Sequence, residues 1–375
     1  MSFTLPAVAP ETLQQLNSPS LIIFRDLVKA NIDQMIRMAG SASRLRPHCK
    51  THKMAAVVQL LLERGVTRHK AATVAEAEML AAAGAADVLL AYNPVGPNIG
   101  RVIALAKKFP FCRISVTVDH PAPLSQLSRT AAAAGVDIGV MLDVNVGYDR
   151  TGISPAVPQA LELYLSLAGL AGIYPAGFHV YDGHQRQTLL AERRAAVQAA
   201  WTPVQRLRES CESRGVPVPV LVCGGTPTFP VYAEMTDPAI ELSPGTCIFH
   251  DSGYGTSFPD LPFQPAAAVL TRVISRPAAD RVTLDLGNKA IAADPPRGHR
   301  VYFPEIPDAV QEIHNEEHLV LVTPEAVRFQ PGDALLGIPT HICPTSALYD
   351  RVVVLEAGSL VDEWQVTGRN RCLTV

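Results

Sequence analysis

Residues 68–91 read RHKAATVAEAEMLAAAGAADVLLA. Strand-type runs at 68–72 and 87–91 flank a segment, 75–83, whose apolar residues recur at helical spacing with charges on the other face. The same alternation continues outward in both directions. Further strand-type runs lie at 44–49, 114–118, 138–144, 176–180, 218–223 and 239–242, with Ala- and Leu-rich helical segments at 54–64, 99–107, 123–134 and 189–214. Eight strands alternating with helices over about two hundred residues predict an α/β fold, a (β/α)8 TIM-type barrel with parallel strands. The rival, a doubly wound open sheet, usually begins on a glycine-rich dinucleotide turn, and no GxGxxG is present.

After about residue 261 the texture changes. Short β-type runs at 267–275, 281–286, 318–322 and 351–355 are separated by Pro/Gly loops without comparable helices. We therefore place the barrel at residues 25–260 and a smaller β-rich domain at residues 1–24 and 261–375. The run 19–24 is an extra strand ahead of the barrel. No internal repeat or low-complexity segment is present.

Composition narrows the function classes. The 375 residues are 48% apolar and 18% charged, enough to bury a sizeable core and unlike a disordered chain. A net charge of −3 supplies no basic excess to meet phosphates, which argues against a nucleic-acid or anionic-membrane partner. The start of the chain lacks a charged segment leading into an apolar one, and no apolar run is long enough to span a bilayer. The seven cysteines are odd in number and widely spaced, the pattern of reduced thiols rather than a disulfide framework. The expectation is a soluble, cytoplasmic protein.

In a barrel of this kind, chemistry sits on the loops that follow the strands. The first candidate is RPHCKTHK, 46–53, at the end of the first strand. Its two lysines and two histidines suit either a solvated basic turn or a lysine placed near other cations for imine chemistry. CGGTPT (223–228) and PGT (244–246) follow the seventh and eighth strands. Glycines followed by hydroxyl residues offer N–H and O–H donors to a phosphate, where barrel enzymes often bind one. Either loop alone reads as a plain turn; their joint placement favours phosphate. After the sixth strand, FHVYDGH (178–184) offers Tyr181 and His184 to the site, whereas His179 reads better as a satisfied core histidine. In the C-terminal region, His341 and Cys343 stand two residues apart. They could share a divalent metal from one side of an extended segment, although a buried thiol beside a surface histidine is the plainer reading.

With these motifs, nearly the whole chain resembles the D-threonine aldolase/D-serine dehydratase family. The likeness runs through SPSLIIF (18–24), RPHCKTHK, KAATVAEAEML (70–80), DVNVGYDRTG (143–152), HVYDGH (179–184), CGGTPT and ELSPGT (241–246). It continues through LDLGNKA (284–290), EEH (316–318) and HICPTSALYD (341–350). The resemblance implies an alanine-racemase-like barrel of PLP fold type III, with pyridoxal 5′-phosphate (PLP) as a Schiff base on Lys50 and not Lys53. It places Arg150 near the cofactor's phenolic oxygen and Tyr181 against the cofactor. Gly224, Gly225, Thr226, Gly245 and Thr246 would hold its phosphate. His341 and Cys343 would bind the divalent metal that grips a substrate β-hydroxyl. The family also implies a homodimer.

Metal-dependent aldolases of this family tend to have His-x-Asp at the metal site, and the eukaryotic-type dehydratases His-x-Cys. This chain has His341-Ile342-Cys343. A thiolate favours zinc over manganese or magnesium, and the ligand pair tilts the expectation toward dehydration of a D-3-hydroxy-α-amino acid. Lys50 would then take the α-proton, and a 2-oxo acid and ammonia would result. In the alternative, retro-aldol cleavage, His184 or a water at the metal takes the hydroxyl proton, giving glycine and an aldehyde. A racemase and a non-catalytic PLP carrier are the less favoured readings. The racemase needs no metal, and the carrier resembles the barrel alone.

Overall fold

A computed structural model describes residues 3–375. The chain divides into two compact units. One comprises Ile36–Lys50, Val57–Gly245 and Gly368–Val375; the other comprises the chain up to Met35, Thr51–Ala56 and Thr246–Thr367. This division differs from the expected barrel boundaries of 25–260, because residues 25–35 and 246–260 cluster with the β-rich unit. A physical reason lies in Asn31. Its side chain donates to the carbonyls of Ile248 (3.1 Å) and Gln264 (2.8 Å) and accepts from the Gln264 N–H (3.0 Å).

Strand β1 (Ser20–Phe24) belongs to the β-rich unit. The barrel unit carries seven parallel strands in chain order: β2 (Arg68–Ala71), β3 (Asp87–Leu90), β4 (Arg113–Val118), β5 (Ile138–Val144), β6 (Ile173–Val180), β7 (Leu221–Cys223) and β8 (Ile240–Leu242). The expected first strand, 44–49, is not a strand. It survives as two parallel bridges, Leu45 to Leu242 and His48 to Lys70, which join the free edges of β8 and β2. Arg46 N–H donates to Leu242 O and His48 N–H to Pro244 O, while Pro47 O accepts from Lys70 N–H. Pro47 has no N–H to donate, so the ladder cannot run on as a regular strand. The ring is closed nonetheless, and the (β/α) barrel is the observed fold.

The helices follow the predicted pattern. Val74–Ala82, for example, begins on Thr73, whose hydroxyl accepts from Glu76 N–H at 3.1 Å. A helix at Pro158–Ser166 was not anticipated. Inside the barrel Leu89, Met141, Ala176 and Val222 pack as one layer. Beside the β2 and β3 N-termini, Arg46 is buried and ion-paired to Asp87 and Glu241, and Glu241 also receives Arg68. β6 shifts register against β5 at Gly177. That residue has φ +125°, and a Cβ there would come within 1.9 Å of Val220 O.

The β-rich unit is organised on β9 (Ala267–Ala278), flanked in the sheet by β1 and by β10 (Arg281–Leu284). β11 (Val301–Tyr302), β12 (Val310–His314), β13 (Leu319–Val322), β14 (Ala334–Pro339), β15 (Arg351–Glu356) and β16 (Ser359–Gln365) complete it. β1 runs antiparallel to β9 and parallel to β15. Ile22, Phe24, Ala268, Leu270, Leu336 and Leu355 form its core. No helix among the described residues is long and apolar enough to cross a membrane.

Candidate active site

The barrel mouth gathers cations around one aromatic ring. Tyr181 follows β6 directly. Lys50 Nζ lies 5.7 Å from its ring centroid, Lys70 Nζ 5.5 Å and Arg150 Cζ 4.8 Å. Each is positioned by local structure. Lys50 sits in the short helical turn Cys49–Thr51, where its N–H donates to His48 Nδ1 at 3.2 Å. Lys70 projects from within β2. Arg150 lies on the loop after β5, closed by Asn145 N–H to Ile153 O and by Asn145 Oδ1, which accepts from Gly147 and Asp149.

The nearby acids are only partly committed, since Asp182 Oδ2 is buried with no hydrogen-bond partner. Asp143 Oδ1 holds His179 Nδ1 at 2.8 Å, and Asp182 Oδ1 accepts from the Thr228 hydroxyl at 2.8 Å. Burial raises the Asp182 carboxyl to about 6. His179 is buried as the sequence favoured, but only half satisfied: Nδ1 is paired, Nε2 has no hydrogen-bond partner, and the ring stacks on Tyr181 at 6.4 Å. His184 stacks on Tyr148, which in turn contacts Tyr181. Gln185 donates to His184 Nε2 at 3.0 Å, so the neutral ring carries its proton on Nδ1, which is buried without a partner.

The glycine loops are tight. Gly224 has φ +70°, and a Cβ there would meet the Thr228 hydroxyl and the Tyr232 ring at 2.8 Å; one on Gly225 would lie 3.2 Å from Tyr181. Their N–H groups serve the loops themselves: Gly224 to Val180 O, Gly225 to Thr228 Oγ1 and Gly245 to Thr226 Oγ1. The N–H groups of these three glycines, the donors expected for a phosphate, are thus spent on bracing the loops.

In the β-rich unit, His341 and Cys343 are brought together at the start of the helix Ile342–Leu348. Burial alone would lower the His341 ring, but contacts with Cys343 and Asp294 and the field of Asp251 outweigh it and lift it to about 9. Asp294 Oδ2 meets His341 Nδ1 at 2.5 Å, leaving Nε2 as the ring's other donor atom. Hydroxyls of Thr51 (3.1 Å) and Thr246 (3.6 Å) approach the Cys343 sulfur. Asp251 accepts the Ile342 N–H at 3.0 Å. Thr246, expected beside a phosphate, is thus found beside Cys343.

Lys70 and Asp294 were missed by sequence reasoning. Lys70 reads as an ordinary strand residue, and Asp294 lies in a loop that carries no motif. A third group was also unforeseen: His48, Cys49 and Glu76 are buried with ligand-type atoms within 4.8 Å of one another. There Glu76 Oε2 accepts the Ala72 N–H at 2.6 Å and the Cys49 thiol at 3.5 Å, which braces the turn behind Lys50.

Fold and charge define a class: a (β/α) barrel whose mouth offers amines to an anionic ligand. Comparison with known proteins gives the family. Residues 23–253 match the model "Alanine racemase, N-terminal domain", and residues 266–355 match "Putative serine dehydratase domain". A D-threonine aldolase of Arthrobacter sp. is 32% identical over 97% of this chain and 96% of its own. A D-threo-3-hydroxyaspartate dehydratase of Delftia sp. is 26% identical over 95% and 98%. The crystal structure of D-threonine aldolase from Filomicrobium marinum superposes with a TM-score of 0.87 at 28% identity, covering 98% of both chains. The chain belongs to the D-threonine aldolase/D-serine dehydratase family and is a PLP-dependent lyase.

Proposed function

We propose that the protein is a PLP- and divalent-metal-dependent lyase that dehydrates D-3-hydroxy-α-amino acids to a 2-oxo acid and ammonia. The observation that carries this reading is the assembled His341–Cys343 pair. Function is better argued from a site than from a lineage, and this site offers an imidazole and a thiol to one cation. Alanine variants of a D-threo-3-hydroxyaspartate dehydratase, at a histidine and at a cysteine two positions later, have been solved, the cysteine variant in a metal-free form. The spacing is the same as here.

The donor sets suit both groups. Three cations around an aromatic ring, the Lys50 amine among them, and the tight Gly224–Gly225 loop fit a ring-bearing, anionic aldehyde. An imidazole backed by a carboxylate, with a thiolate beside it, fits a borderline-soft cation, zinc before manganese. PLP supplies the electron sink for the bond broken at Cα, and the metal, in this reading, polarises the β-hydroxyl.

The chain's own residues do the rest. Lys50 would hold the cofactor and would be the base for the Cα proton. Arg150 carries positive charge to the phenolic side. Tyr181 would form a wall for the cofactor, and the loop at Gly224–Thr226 with Gly245 would shape its phosphate end. A homodimer and a cytoplasmic setting belong to the same reading by family analogy.

A second reading, retro-aldol cleavage, draws on the whole-chain likeness to D-threonine aldolases. His184 would then take the hydroxyl proton. Incubating the PLP- and zinc-loaded protein with D-threonine separates the two. 2-Oxobutyrate is the expected product; glycine with acetaldehyde as the main products would replace dehydration by cleavage. Metal analysis of Cys343→Ala completes the test. Full metal retention would move the metal away from His341 and Cys343, with the buried His48, Cys49 and Glu76 group as the next place to look.

A further inference from the structure

Of the cations facing Tyr181, Lys70 is the least expected. Arg150 is exposed and Lys50 partly so, whereas Lys70 is only 2% exposed. Its ammonium makes no hydrogen bond to any described residue, although its backbone N–H closes the barrel through Pro47 O. Buried ammonium groups are ordinarily paired. The groups facing it are Lys50, Asp182, Asp143, Cys223 and His179. Asp143 holds His179 and Asp182 Oδ1 accepts from Thr228, while Asp182 Oδ2 is buried with no hydrogen-bond partner, and Lys50 repels the ammonium. Burial and the neighbouring Lys50 lower its amine from 10.5 to about 7. A lysine in this state is costly to keep, and the partner it faces is the Tyr181 ring, 5.5 Å away.

We propose that Lys70 is a positioning residue of the barrel mouth, the buried counter-cation for the anion seated against Tyr181. The inference rests on the PLP reading above, in which that anion is the cofactor's ring system. Lys50 forms the covalent tie, and Lys70 holds charge opposite the ring from inside the barrel. Binding an anion there draws Lys70 toward its protonated form, so cofactor affinity weakens as pH rises above neutrality.

The test compares Lys70→Met and Lys70→Arg with the parent full-length protein. Borohydride reduction and peptide mass analysis of the parent come first. PLP fixed on Lys50 is expected; failure to fix it there overturns the cofactor reading and this one together. Apo-protein is then titrated with PLP across pH 6 to 9, following the visible absorption band. Loss of a charge-assisted contact is expected to weaken binding by Lys70→Met about tenfold or more at pH 7 and to flatten its pH dependence. Lys70→Arg should restore most of the affinity. A methionine variant that binds PLP as tightly as the parent, with the same pH profile and spectrum, overturns the role of Lys70 while leaving the cofactor reading intact. Should Lys70→Met fail to fold by circular dichroism, Lys70→Gln carries the same readings.

Discussion

The two ligand-handling regions of this chain are charged in opposite senses. At the barrel mouth Lys50, Lys70 and Arg150 surround one tyrosine ring, with Asp143 paired to His179 and Asp182 bonded through one oxygen to Thr228. Around His341 and Cys343 it is carboxylates and hydroxyls that converge: Asp294, Asp251, Thr51 and Thr246. The first arrangement is prepared for an anion and the second for a cation. In the proposed reading the sign of the local field, more than any single residue, would decide which ligand each region takes.

The sharpest way to break this contrast is to remove the reactive amine. Lys50→Ala is expected to lower turnover by at least about 10²–10⁴-fold, the range of a lost acid–base group, and to abolish the borohydride-reducible adduct. Metal bound by His341 and Cys343 should be unchanged. A variant that loses metal along with the adduct would show that the two regions are not separable.

Next in size is the stability cost of the unpaired Lys70. In the unfolded chain its amine titrates near 10.5, and in the folded chain near 7. The unfolded state therefore binds the proton first as pH falls, so folding is penalised progressively from about pH 10.5 down to 7 and by a constant amount below. Lys70→Met should melt higher than the parent at pH 6, with the difference closing as pH approaches 10. A difference that does not change with pH would mean that burial does not shift this amine.

Arg46 offers the opposite case within the same barrel, a buried cation with its anions in place. Both Glu241 and Asp87 pair with it. Arg46→Met leaves Glu241 to Arg68 and the half-buried Asp87 to Arg113, and is expected to destabilise the fold, read as a fall in the urea midpoint. Paired and unpaired buried cations in one barrel should thus respond to the same substitution with opposite sign.

These residues also mark how far the sequence could be read. The barrel was legible because strand and helix periods alternate over most of the chain, and the β-rich end because that alternation stops. Pro47 hid the irregular closure: its missing N–H turns the expected first strand into two bridges. In the β-rich unit, β12, β14 and β16 escaped notice. β16 is exposed along most of its length, and β14 contains Gly337 and ends on Pro339, which argue against a strand by composition. Lys50 stood out through a dense basic motif, whereas His341 and Cys343 were a weak pair that only the family resemblance raised. Lys70 did not stand out, since only closure of the barrel reveals that its side chain faces inward.

Asp294 was illegible for a similar reason, because it reaches His341 across 47 residues of chain. It is also where the cation-binding side of the contrast can be tested with the least disturbance. A carboxylate on Nδ1 fixes which imidazole nitrogen is left for the metal and raises its basicity. Asp294→Asn keeps the shape and a hydrogen-bonding group but removes the charge. Zinc affinity, measured by competition with a chromogenic chelator, is expected to fall about 10–100-fold, with PLP absorbance unchanged. Wild-type affinity in this variant would reduce Asp294 to a surface partner of the histidine, and the region's preference for a cation would then rest on Cys343 and its hydroxyl neighbours.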